Sequence, residues 1–209
     1  MKKIILSLII VILPTLVEAA DSLVILGDSI AFGQGASNGT KSFSAILAKK
    51  TTRYFVLNYS RGGWSVSANS GGIKPANING VTALFPYAII IALGTNDHAL
   101  SVSAKAFRNS YRNMVTTMVN VSVERLYCLT PFPRTNEEIP NMVHLTMSDY
   151  RNIINEECER AGGVTIDSAN MFLPNENYLT SDGLHPNDRG HSAAARHIWQ
   201  QIGSELRIE

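Results

Sequence analysis

Five short apolar runs leave this chain few ways to fold. They span 23–26, 54–57, 87–93, 125–129 and 164–166, and each breaks off at glycine or polar residues. Such runs read as strands buried in a sheet. Stretches with helical spacing stand between and after them, over 42–50, 103–119, 147–161 and 187–202, with one short helix near 81–84. In 103–119, Phe107, Met114, Val115 and Met118 fall on one stripe. Strand and helix in alternation call for a parallel sheet covered on both faces, here a three-layer α/β/α sandwich with five parallel strands. Right-handed crossovers place every strand's carboxyl end on one edge, where open α/β sheets bind ligands. Loops are expected over 30–40, 64–80 and 130–146, the last with Pro131, Pro133 and Pro140. No linker-like break divides the chain, so residues 21–209 read as a single domain.

Residues 1–20 stand apart. Lys2-Lys3 precede an almost wholly apolar 4–17, and Val17-Glu18-Ala19 ends on small residues. This is the pattern of a secretory signal peptide, with cleavage after Ala19 or Ala20 and a secreted or periplasmic product. The alternative is a membrane anchor, but the run falls short of the roughly 20 residues a span needs, and Pro14 interrupts it. No stable membrane span is expected after cleavage. Setting aside Lys2, Lys3 and Glu18 leaves 16 basic and 16 acidic residues. That balance gives no basic surface for nucleic acid. Export means an oxidising compartment, so Cys128 and Cys158 stand as either a disulfide or two buried thiols. With no cysteine–histidine cluster, no metal site is expected.

Three strands end in motifs that pair glycine with a polar side chain. Gly27-Asp28-Ser29 follows the first run, Asn58-Tyr59-Ser60-Arg61-Gly62-Gly63 follows the second, and Gly94-Thr95-Asn96-Asp97 follows the third. A fourth motif, Asp182-Gly183-Leu184-His185-Pro186, precedes the last helix. The topology brings all four to one edge. Together they supply a hydroxyl, a base, a carboxylate to orient it, and donors for an oxyanion, the inventory of acyl transfer. A serine hydroxyl needs a base within hydrogen-bond reach, and histidine suits because its unperturbed pKa of about 6.5 lies near neutral pH.

In these four blocks, in their order and over nearly all of the mature chain, the sequence resembles the GDSL esterases and lipases, also called SGNH hydrolases. The resemblance implies a flavodoxin-like fold with Ser29 as nucleophile, His185 as general base and Asp182 orienting it. The oxyanion hole would be the backbone amides of Ser29 and Gly63 with the side-chain amide of Asn96. The expected protein is an exported serine hydrolase acting on esters or thioesters through an acyl-enzyme. Its substrate would be a small molecule or a lipid or glycan ester, and it would need no cofactor. Acyl transfer to an alcohol or removal of acetyl groups from carbohydrate is the alternative on the same scaffold. A carbohydrate- or lipid-binding protein without turnover is the alternative of another class. Oligomeric state is not readable from the sequence.

Other residues carry two readings each. Trp64 either walls an acyl pocket or packs in the core. His98, two residues past Asn96, reads as a substrate contact or a packing residue, and Arg134 is a candidate substrate contact in the proline-bearing loop. Asp28 and Asp97 read as structural, tying their own turns through backbone hydrogen bonds. His144, His191 and His197 belong to no motif, and the last two read as surface or packing residues of the final helix.

Overall fold

The computed structural model describes residues 22–51, 54–67, 75–120, 123–172 and 177–206. The proposed leader lies outside them. Five parallel strands, β1 (Ser22–Gly27), β2 (Phe55–Asn58), β3 (Ala88–Ala92), β4 (Arg125–Leu129) and β5 (Val164–Ile166), form one sheet in the order β2-β1-β3-β4-β5. The helices are α1 (Ser29–Phe32), α2 (Phe43–Lys50), α3 (Pro75–Thr82), α4 (Thr95–Ala99), α5 (Ala104–Asn120), α6 (Met147–Arg160) and α7 (Asp188–Ile202). Strand order reverses direction between β1 and β3, which makes that junction the topological switch point, where ligands enter such sheets.

Side-chain alternation along the central strands sorts the core into two halves. Val24, Leu26, Ile89, Ile91, Leu126 and Cys128 face Phe107, Tyr111, Met114 and Ile154 of α5 and α6. Leu23, Ile25, Ile90, Tyr127 and Leu129 face Phe43 and Leu47 of α2 and Ala194 and Ile198 of α7. A disulfide between Cys128 and Cys158 ties β4 to α6, with its Cα atoms 6.1 Å apart. No helix among the described residues is long and apolar enough to cross a membrane.

Four local expectations change. The 54–57 run is only partly buried: Tyr54 is in the core and Val56 and Leu57 are half-buried, but β2 is an edge strand with Phe55 and Asn58 exposed, because only β1 flanks it. The loop expected over 30–40 begins as helix α1. Asp28 Oδ1 accepts the Ile30 N–H at 2.9 Å, and Gly33 closes the turn at φ +108°. The short helix expected near 81–84 is α3, starting at Pro75 as prolines favour. The Thr95-Asn96-Asp97 stretch is also helical, as α4, entered through Gly94 at φ +120°. Turns this short carry too few residues to show a period.

Candidate active site

Ser29 stands at the first position of α1, directly past the carboxyl end of central β1. Its Oγ lies 3.0 Å from His185 Nε2, and His185 Nδ1 lies 2.6 Å from Asp182 Oδ2. An ionised carboxylate only accepts, so Nδ1 carries the proton and donates. Nε2 then presents a lone pair to the Ser29 hydroxyl. Asp182 is held from several sides. Its Oδ1 accepts the N–H groups of Leu184 and His185 at 2.8 and 2.9 Å and the Thr180 hydroxyl at 2.7 Å. Burial pushes this carboxyl up, but the bonds from His185, Leu184 and Thr180 outweigh it and hold it well below the ordinary range. It therefore stays ionised beside the imidazole.

The loop that carries His185 is clamped to the rest of the edge. Thr180 N–H donates to the His185 carbonyl at 2.8 Å. Gly35 lies so close that a Cβ there would come 2.2 Å from the Pro186 carbonyl and 3.1 Å from His185 Cβ, at a φ of +93°. Asp188, at the start of α7, takes Lys41 Nζ at 2.6 Å and the Ser37 N–H and hydroxyl at 2.7 and 2.9 Å. His191 is fully buried rather than at the surface. Its Nδ1 accepts the Phe43 N–H at 3.3 Å, so Nε2 carries the proton and donates to the Gln34 carbonyl at 3.1 Å. The loop between Ser29 and α2 is thus fastened to the helix that follows His185.

Opposite stands the segment after β2. Tyr59 and Arg61 continue to donate to the Ile25 and Gly27 carbonyls, at 2.7 and 3.0 Å. This draws Gly62 alongside Ser29: a Cβ on Gly62 would lie 3.9 Å from Ser29 Cβ. Gly63, at φ +79°, faces open space. Asn96 on α4 donates from Nδ2 to the Trp64 carbonyl at 2.7 Å, leaving a second N–H on the same nitrogen. The neighbouring Asp97 carboxylate is wholly buried and accepts the Val66 and Ser67 N–H groups at 2.9 and 3.0 Å. Burial raises both Asp28 and Asp97 to about 6, against the pull of their backbone hydrogen bonds.

The structure brings Ser29, Asp182 and His185 into one chain of contacts, with Gly62 against Ser29 and Gly63 next along the segment that Asn96 holds. Trp64 is half-buried, packing on the α5–α6 side of the core and against Tyr59, ring centres 6.2 Å apart. His98 is buried and turned toward Arg134, Nη2 to Nδ1 2.8 Å, with its ring edge-on to Tyr150. The sequence offered His98 and Arg134 separately, with no signal for their pairing across 36 positions. Thr180 was overlooked, although a hydroxyl two residues before the aspartate is a local cue. No group of three or more potential metal ligands occurs among the described residues.

Residues 25–193 match the model of the GDSL-like Lipase/Acylhydrolase family. No curated protein matches the chain. Among solved structures, TesA superposes with a TM-score of 0.74 at 16% identity, covering 90% of this chain and 100% of its own. A catalytic mutant of Axe2, an acetylxylan esterase from Geobacillus stearothermophilus, gives 0.70 at 20% identity, covering 90% and 97%. The psychrotrophic esterase EstA from Pseudoalteromonas sp. gives 0.69 at 15%, covering 89% and 98%. At such identities these likenesses speak for the fold.

Proposed function

The chain belongs to the GDSL-like Lipase/Acylhydrolase family, and on that premise we propose that it is an exported serine hydrolase that cleaves carboxylic esters or thioesters through an acyl-enzyme. The observation that carries this reading is the unbroken contact chain from Ser29 Oγ to His185 to Asp182, at 3.0 and 2.6 Å. His185 Nε2 takes the Ser29 proton as Oγ bonds to the substrate carbonyl carbon, and the carbonyl electron pair moves onto oxygen. Asp182 stabilises the imidazolium that results. As the tetrahedral centre collapses, the bond to the leaving oxygen or sulfur breaks and Nε2 returns the proton to it. Water then repeats the sequence on the acyl-enzyme and frees the acid and Ser29.

The developing oxyanion is met by the N–H groups of Ser29 and Gly63 and the free N–H of Asn96. Donors fixed before the reaction stabilise charge without reorganising. The bond from Asn96 to Trp64 supports this role, since it fixes the amide's orientation. Export rests on the leader-like pattern of residues 1–20.

Turnover of 4-nitrophenyl acetate by the purified protein tests the reading, together with covalent labelling by an organophosphonate. Wild type should hydrolyse the ester and take up one phosphonyl group on Ser29. Ser29→Ala should melt like wild type and lose almost all turnover and labelling. Full activity in that variant, or no turnover and no labelling in wild type, overturns the proposal.

A further inference from the structure

Two open grooves meet at Arg134 and Thr135. One is lined by Phe172, Tyr178 and Thr180, the other by His98, Ile139 and Met142. The first also takes in Ser181 and Gly183, on either side of Asp182. The Thr135 N–H donates to the Gly183 carbonyl at 2.8 Å, within the turn that carries Asp182 and His185. His98 sits two residues beyond Asn96 on α4. Arg134 therefore stands between the turn that carries Asp182 and His185 and the short helix that carries Asn96.

Its charge has no acid partner among the described residues. Glu137, the acid that acts on it through space, gives both oxygens to Arg151 at 3.2 and 2.7 Å and takes only the backbone N–H of Arg134. The guanidinium rests instead on His98 Nδ1 at 2.8 Å. A guanidinium only donates, so Nδ1 accepts and the His98 proton sits on Nε2. Burial, with the charge of Arg134 beside it, lowers the His98 pKa and keeps the ring neutral. One buried donor then lacks an acceptor, Arg134 Nε. A half-buried guanidinium held by a neutral ring is unusual, because such groups are ordinarily paired with acids. Its place between the turn of Asp182 and His185 and the helix of Asn96 gives the arrangement a use.

We propose that Arg134 is a specificity-determining residue that recognises an anionic group, a carboxylate, sulfate or phosphate, on the ester substrate, with His98 as the residue that positions it. The inference rests on the serine hydrolase reading and adds to it a class of substrate. A guanidinium binds such anions with charge-assisted and often paired hydrogen bonds. A neutral imidazole holds it in place without cancelling its charge, as a carboxylate would.

The test compares charged and neutral esters of equal shape. On the alcohol side the set is 3-acetoxybenzoate and 3-acetoxybenzenesulfonate against 3-acetoxybenzamide. On the acyl side it is the 4-nitrophenyl monoester of adipic acid against 4-nitrophenyl hexanoate. Each kcat/KM is divided by the rate of hydroxide hydrolysis to remove intrinsic reactivity. Wild type should favour the anionic member of at least one set by about tenfold or more, and Arg134→Gln should bring that ratio close to one. The wild-type comparison needs no variant, so a misfolded Arg134→Gln protein would not spare the proposal. No anionic preference in either set, with neutral esters turned over, overturns it; so does a preference that Arg134→Gln leaves intact. If no ester is turned over at all, the hydrolase reading fails instead. Calorimetry of 3-hydroxybenzoate against 3-hydroxybenzamide then decides the role of Arg134 alone. Tighter binding of the anion that Arg134→Gln abolishes supports it, and equal binding ends it.

Discussion

The side chain of Asn96 is bonded to the backbone of Trp64, Nδ2 to carbonyl at 2.7 Å. One N–H is thereby spent on structure, which fixes where the other points. An amide free to rotate would have to be ordered during the reaction. Asn96→Ala should therefore lower kcat by about 10² to 10³ with little change in KM, since the lost donor acts on the transition state. Steady-state kinetics on a chromogenic ester checks this, and an unchanged kcat removes Asn96 from the oxyanion hole.

The next residue fastens the same segment from within. Asp97 accepts two N–H groups of the 64–67 stretch while wholly buried. Its pKa is raised to about 6, above the roughly 3.9 of an unfolded aspartate. The folded state thus takes up a proton first as pH falls, so this group adds stability on going from about pH 6 toward pH 4 and withdraws it as pH rises through 6. Asp28 acts in the same direction. Asp97→Asn should remove the Asp97 share of that dependence. Urea melts at pH 5 and pH 7 should show wild type losing more stability than the variant between the two values.

Glu157 works with the opposite sign. Its side chain is almost fully buried, and Arg112 foremost, then Arg160 and Arg108, hold it at about 2 against the cost of burial. The stabilisation is present above the ordinary carboxyl range near 4.3 and is lost as pH falls toward 2. Glu157→Gln should cost about 2 kcal/mol at pH 7, the worth of charge-assisted hydrogen bonds whose guanidinium partners stay partly in water. The gap should begin to narrow below about pH 4 and be gone near pH 2. Denaturant melts of both proteins across that range measure it.

The disulfide spans 30 positions between β4 and α6. Closing a loop of that length removes chain entropy from the unfolded state worth about 3 to 4 kcal/mol. Cys128→Ala with Cys158→Ala should lower stability by roughly that amount, while ester turnover at 20 °C stays within about twofold. The bridge lies in the α5–α6 half of the core, apart from Ser29. Equilibrium melts and initial rates test both parts.

The sequence by itself determined the architecture and nominated the residues of the candidate site. Apolar runs of strand length, separated by helical stripes, admit one economical solution, a parallel sheet with two covered faces. Right-handed crossovers then send Ser29, Gly63, Asn96 and His185 to a single edge. Burial and chain handedness are readable because each acts through local pattern. Tertiary structure decided what depends on neighbours distant along the chain. Tyr54-Phe55-Val56-Leu57 looks like an inner strand, yet strand order puts β2 on the outside with one partner. His191 belongs to no motif, yet it bonds to Gln34 and Phe43 across some 150 positions and braces the loop after Ser29. Arg134 and His98 meet only because the loop after β4 folds back over α4. Side-chain hydrogen bonds require two groups within about 3 Å and aligned, and no spacing in the chain records which distant pairs achieve it.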